Sequence, residues 1–121
     1  MLFAVAGLLL TLAAGSAADI TGKWEGKLTG QRPDGSTQED TALLILGQKD
    51  KVITGTIGGS ENDQHPITSG TIEGNKVTIL AKHLERDREF RLELTVENDV
   101  MKGTLTSGDR RAEIVVKRRK E

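Results

Sequence analysis

The stretch ADITGKWEGKLTG, Ala18–Gly30, holds the only tryptophan of the chain and alternates between two classes of residue. Lysine and glutamate occupy every second position from 23 to 27, and apolar residues or glycine occupy the positions between them. A two-residue period is typical of a β-strand with one face in water and one in the core. The pattern predicts a first strand over Ile20–Thr29 with Trp24 pointing inward. We expect the glycines beside it, Gly22 and Gly26, to make room for the indole.

Seven further segments rich in Ile, Val, Thr and Leu follow, each separated from the next by a polar turn. The cleanest is EFRLELTVE, in which apolar and polar residues alternate without exception. Gly74-Asn75 and Asn98-Asp99 suit two-residue hairpins because these residue types tolerate a positive φ. The predicted strands after the first are Thr41–Leu46, Val52–Ile57, Ile67–Glu73, Lys76–Lys82, Glu89–Glu97, Val100–Thr106 and Arg111–Lys117.

Eight short strands joined by hairpins can form either an open sandwich or an up-and-down barrel. No long crossover and no helical period follow residue 18, and closure leaves no edge strand to protect. We therefore expect an all-β fold, an eight-stranded antiparallel up-and-down β-barrel, with the sandwich as the alternative.

The first eighteen residues, MLFAVAGLLLTLAAGSAA, carry no charged side chain and end in small residues. This pattern is typical of a secretory signal peptide, and we expect cleavage after Ala18. An uncleaved N-terminal anchor is the alternative, although the apolar run is shorter than the ~20 residues that a membrane span needs. The prediction is a signal peptide, residues 1–18, and a single barrel domain, residues 19–121, that is secreted or periplasmic.

Charge and cysteine content limit the partners. The chain has 17 Lys and Arg against 18 Asp and Glu, which gives no global attraction to nucleic acid or to an anionic membrane. The basic tail KRRK would attract a polyanion by charge. Stacking on bases or sugars needs exposed aromatic side chains, however, and the only aromatic side chains after residue 18, Trp24 and Phe90, are both expected in the core. We expect no nucleic-acid partner and no stable membrane insertion after cleavage. There is no cysteine, so the core must suffice without disulfides.

The segment Thr21-Gly22-Lys23-Trp24 resembles the Gly-x-Trp signature that opens the first strand of the calycins, the lipocalin and avidin-like barrels. In lipocalins an arginine near the end of the last strand packs over that tryptophan. The resemblance implies that Arg118 or Arg119 makes this cation–π contact, worth about 0.5–2 kcal/mol. Gly22, Trp24, Arg118 and Arg119 are therefore the expected structural floor of the barrel.

The chain also departs from these families. It lacks the lipocalin disulfide and the other two lipocalin motifs, and it has no Tyr and no second Trp for a biotin site of the avidin kind. Periplasmic metalloprotease inhibitors share a similar opening, but they insert an N-terminal trunk into the protease. Only Asp19–Thr21 precede Gly22 here, which leaves almost nothing to insert.

Loops after odd-numbered strands emerge opposite the floor, and the longer polar loops are of this kind: Gly30–Asp40, Gly58–His65, His83–Arg88 and the shorter Ser107–Arg110. This end is the expected mouth, where a binding site is expected. A metal site from both histidines and Asp63 has no supporting spacing, and no catalytic motif is present. We expect no catalytic residues, metal or cofactor. The ligand-binding candidates are Arg32, His65, His83, Arg88 and Arg110.

Three functions stay open: a non-enzymatic binding or interaction module of unidentified ligand, a carrier of a small apolar ligand, and a protease-inhibitor-like or partner-binding barrel that acts through its mouth loops. The inward residues are aliphatic and of middling size, which slightly favours a filled interior. ALLIL, Ala42–Leu46, and IVV, Ile114–Val116, are apolar on both faces. They predict either a homodimer through strands two and eight or a loop folded over this region.

Overall fold

The computed structural model of the protein describes residues 19–32, 34–85, 88–108 and 110–119. The predicted signal peptide, residues 1–18, lies outside the described residues, so its cleavage stays a prediction. The strands are β1 (Gly22–Gln31), β2 (Thr37–Lys49), β3 (Val52–Ser60), β4 (Asp63–Glu73), β5 (Lys76–Lys82), β6 (Glu89–Glu97), β7 (Val100–Ser107) and β8 (Arg110–Arg118).

These strands form a closed barrel in which each one is antiparallel to its neighbours in sequence. β1 closes the barrel against β8, with Trp24 opposite Arg118 and Gly30 opposite Ala112. The predicted eight-stranded up-and-down barrel is confirmed, and the sandwich is wrong. No helix that could cross a membrane occurs in the described part of the chain.

The strand bounds differ from the prediction mainly on β2, β3 and β4. The segment Gly58–His65 was expected to be a mouth loop, and this expectation is wrong. β3 runs to Ser60 and β4 begins at Asp63, so only Glu61 and Asn62 separate the strands. At the opposite end the turns are tight as expected, and Asp50 and Asn98 have positive φ of 57° and 56°.

The core follows the two-residue period. In β6 the positions from Leu92 to Val96 alternate between buried and exposed, as EFRLELTVE predicts. Every strand contributes a large, fully buried side chain to the core, and so does the segment before β1. These side chains are Ile20, Trp24, Leu44, Ile53, Ile72, Ile79, Leu92, Met101 and Ile114.

Inward-facing glycines such as Gly26 and Gly103 lie where neighbouring strands approach each other closely. A Cβ atom on Gly26 would overlap the carbonyl oxygen of Val115 on β8, and one on Gly103 would overlap that of Glu93 on β6. Gly26 therefore makes room for the backbone of β8 and not, as expected, for the indole of Trp24. Glycine at such inward positions lets the strands coil tightly enough to close a narrow barrel.

The floor of the barrel is built around Trp24, which is fully buried and donates its indole N–H to the carbonyl of Ile20 at 2.9 Å. The guanidinium of Arg118 lies over the indole ring, 4.5 Å from its centroid. Gly22, with φ of 133°, lies against this guanidinium, because a Cβ there would be 3.5 Å from an Arg118 nitrogen. Arg119 does not reach the indole and instead pairs with Glu61 at 3.4 Å.

Candidate functional site

The upper half of the barrel holds a cavity of about 350 Å³ that opens at the mouth end. The interior is therefore not filled, contrary to what the residue sizes slightly favour. Large side chains such as Trp24, Ile53 and Met101 pack the floor end and do not line the cavity. Its wall includes the small residues Ala42, Gly58 and Gly59. The apolar side chains that complete the wall are Leu28, Leu44, Ile57, Phe90, Leu92, Leu105 and Ile114.

Two predicted ligand-binding residues meet on one side of this cavity. His65 is an inward residue of β4 with 8% of its surface exposed, and His83 directly follows β5. Their rings stack with centroids 4.1 Å apart and an angle of 29° between the planes. Phe90 of β6 lies 6.1 Å from each ring. The three rings form a continuous aromatic wall, called here the ring wall.

The hydrogen bonds of the two histidines assign their tautomers. The backbone N–H of Leu84 donates to Nδ1 of His65 at 3.3 Å, and that of Glu85 donates to Nδ1 of His83 at 3.1 Å. A nitrogen that accepts carries no proton, so each neutral imidazole is protonated at Nε2. Nε2 of His65 lies 3.1 Å from a carboxylate oxygen of Asp63, to which it donates.

Asp40 also lines the cavity, although the sequence placed it in a loop before a strand that was expected to begin at Thr41. β2 in fact begins at Thr37, and Asp40 pairs with the inward residue Leu28 of β1. The alternation that places Ala42 and Leu44 inward extends back to Asp40, so this signal was present in the sequence.

The remaining candidates lie outside the cavity. Arg110 lines a smaller depression of about 180 Å³ at the mouth, together with Arg111, and this depression shares Leu28, Asp40 and Leu105 with the cavity. Arg32, on the β1–β2 connection, donates to the side chain of Gln38 at 3.3 Å, and Gln38 lines this depression although Arg32 itself does not. Arg88 is exposed and accepts the backbone N–H of His83 at 2.9 Å through its carbonyl oxygen.

The wall of the barrel is incomplete between β2 and β3. Their ladder ends at the pair Leu43–Gly58, and above it β2 pairs with β1 alone. The tip of the β3–β4 hairpin, residues 59–64 and called here the flap, bends over the outer face of β2. Gln64 donates through its side-chain amide to the carbonyl of Leu43 at 3.2 Å, and the Thr41 hydroxyl donates to that of Gly59 at 2.8 Å.

Two ion pairs of Glu61 hold the flap in place, and the flap covers the apolar side chain of Leu43 on the outer face of β2. Glu61 pairs with Lys23 at 3.0 Å and with Arg119 at 3.4 Å. The hydrogen bond from Lys23, and then the positive charges of Lys23 and Arg119, lower the pKa of Glu61 below its usual 4.5. Leu43, an outward residue of ALLIL, is only 3% exposed beside the flap.

On β8, Val115 stays 43% exposed, and a homodimer there stays a prediction.

No group of three or more His, Asp or Glu side chains in the described ranges is arranged to hold a metal ion. Comparison with family profiles, curated proteins and solved structures finds no match to this chain. The eight-stranded antiparallel barrel is consistent with a calycin-like fold, and membership of that family stays an expectation.

Proposed function

We propose that the protein is an exported, non-enzymatic barrel that binds one small, mostly apolar molecule in the upper half of its interior. The observation that carries this proposal is the cavity of about 350 Å³, whose wall is mostly apolar and includes the polar side chains of Asp40, Thr41, Asp63, His65 and His83. Small-molecule sites are concave and mostly apolar, with few polar groups and volumes of roughly 300–1,000 Å³. Export rests on the N-terminal pattern alone.

The histidine pair supports binding rather than catalysis. A general base needs an unprotonated nitrogen within reach of the proton that it removes. The unprotonated Nδ1 of His65 and that of His83 each accept a backbone N–H. The proton on Nε2 of His65 is directed to Asp63. These bonds hold the rings in place as part of a wall and occupy the nitrogens that would accept a proton.

The fluorescence of prodan, a neutral apolar probe that brightens in apolar surroundings, tests this proposal. Ala42→Phe places a ring in the cavity and is expected to weaken prodan binding at least tenfold. Val115→Phe adds the same ring to the outer face of β8 and should bind prodan as the unsubstituted protein does. If Ala42→Phe melts early, Leu105→Trp fills the cavity from its half-buried rim instead.

Native mass spectrometry of the protein purified from its own host gives a second readout. A carrier is expected to retain a small molecule that the cavity-filled variant lacks. No prodan binding up to the limit of its aqueous solubility, or equal binding by the cavity-filled variant, would overturn the proposed function.

A further inference from the structure

The polar part of the cavity lining includes two carboxylates beside aromatic rings. Among the described residues that line the cavity, the ionisable side chains are Asp40, Asp63, His65 and His83, with no lysine or arginine. Asp40 comes from β2 and Asp63 from the first position of β4. Asp63 belongs to the flap, and both carboxylates line the same cavity.

Each carboxylate keeps an oxygen for a ligand. Gln38 donates to one oxygen of Asp40 at 3.2 Å, and His65 lies 3.1 Å from one oxygen of Asp63. The second oxygen of each can accept a further hydrogen bond. Phe90 of the ring wall lines the same cavity, and the face of a phenyl ring attracts a cation through its quadrupole.

We propose that the ligand is a small apolar ammonium compound, with an alkyl or aryl body in the cavity and a cationic nitrogen at the rim. The nitrogen donates to Asp40 and Asp63 and lies against the ring wall. This inference rests on the proposed function and names the chemical class of the ligand. Arg110 and Arg111 lie in the neighbouring depression rather than in the cavity, and they are the groups that a carboxylate ligand would use instead.

Three ligands of matched size and different head group test the inference by calorimetry at pH 7.5 and low salt: 2-phenylethylamine, 2-phenylethanol and 3-phenylpropanoate. The ammonium is expected to bind about fivefold or more tighter than the alcohol, because both carboxylates are solvent-exposed and such pairs are individually weak. The carboxylate is expected to bind more weakly than the alcohol. The preference for the ammonium should shrink in 0.5 M salt.

Isosteric variants locate the effect. Asp40→Asn and Asp63→Asn should each remove most of the preference for the ammonium and leave the affinity for the alcohol unchanged. The matched control is Glu39→Gln, which neutralises the adjacent carboxylate that pairs with Lys27 at 3.8 Å and does not line the cavity. This control should keep the full preference.

The outcomes separate this inference from the proposed function. Equal binding of the ammonium and the alcohol overturns the inference and leaves the cavity as a binding site. Tighter binding of the carboxylate, or an ammonium that fails to bind although prodan binds, overturns it as well. If no compound binds and prodan does not bind, the proposed function fails with it.

Discussion

The guanidinium of Arg118 covers the indole of Trp24 at 4.5 Å and, in the same position, bonds three other residues. It pairs with Asp99 in the β6–β7 turn at 3.0 Å. It also donates to the carbonyl oxygens of Asp19 and Thr21, each at 2.7 Å. One side chain thus joins the last strand, a floor turn and the segment before β1, and it closes the floor over the tryptophan.

Replacing Arg118 by lysine keeps the charge but removes the planar group that makes these contacts together. We expect Arg118→Lys to lower the free energy of unfolding by about 1–2 kcal/mol. Urea unfolding followed by Trp24 fluorescence measures this. Arg119→Lys is the control, because its single contact with Glu61 should be worth less than about 0.5 kcal/mol. Equal effects of the two substitutions would show that Arg118 has no special role at the floor.

Gly103 is predicted to tolerate no side chain. A Cβ there would overlap the backbone of Glu93, so Gly103→Ala must push β6 and β7 apart. We expect a loss of about 2–3 kcal/mol in the free energy of unfolding. Gly30→Ala is the matched control on the inward face of β1, where the nearest atom to the new methyl is a Cβ at 3.5 Å. A loss from Gly30→Ala as large as that from Gly103→Ala would contradict the close-approach explanation.

Leu43 is predicted to stabilise the flap through burial on the outside of the barrel. Leu43→Lys places an ammonium at a site that is 3% exposed, and we expect a loss of about 3 kcal/mol. Val115→Lys, also on the outer face but 43% exposed, should change the free energy of unfolding by less than about 1 kcal/mol. Thermal and urea unfolding compare the two. A neutral Leu43→Lys would mean that the flap does not cover this face in solution.

The flap is predicted to loosen in acid. Because the pKa of Glu61 is lowered in the folded protein, its stabilising effect is present above the usual value of 4.5 and is lost as the pH falls through the lower, folded value. Amide hydrogen exchange at residues 59–64 should therefore be faster in Glu61→Gln than in the unsubstituted protein at pH 6. The difference should narrow below pH 4.5.

The control for this experiment is Glu113→Gln, an exposed position of β8 outside the flap, which should leave exchange in residues 59–64 unchanged. Identical exchange in Glu61→Gln and the unsubstituted protein at pH 6 would show that the ion pairs do not hold the flap.

Local patterning was sufficient to predict most of the fold. Strands such as Glu89–Glu97 alternate strictly because one side faces water and the other a narrow core, and their hairpin turns need residues that accept positive φ. The same alternation decides between the two arginines of the floor. Arg118 shares the inward parity of Ile114 and Val116, whereas Arg119 does not. The alternation of β8 therefore distinguishes Arg118 from Arg119 in the sequence alone.

The site was harder to predict because it depends on contacts between distant segments. GGSENDQHP is rich in glycine and polar residues and resembles a loop, yet contacts with Leu43 and Lys23 fold it into a hairpin that brings His65 inside. Whether the interior is filled depends on where small residues such as Ala42 gather around the circumference. No single strand carries that information.

The β2–β3 ladder stops at the pair Leu43–Gly58, so the wall of the barrel has a lateral opening above this pair. At this opening the flap lies over β2, held by side-chain hydrogen bonds of Thr41 and Gln64 and by the two ion pairs of Glu61. Because a segment held by few side-chain contacts opens locally at a lower free energy than the ladders of the sheet, we expect the interior to exchange with solvent here first.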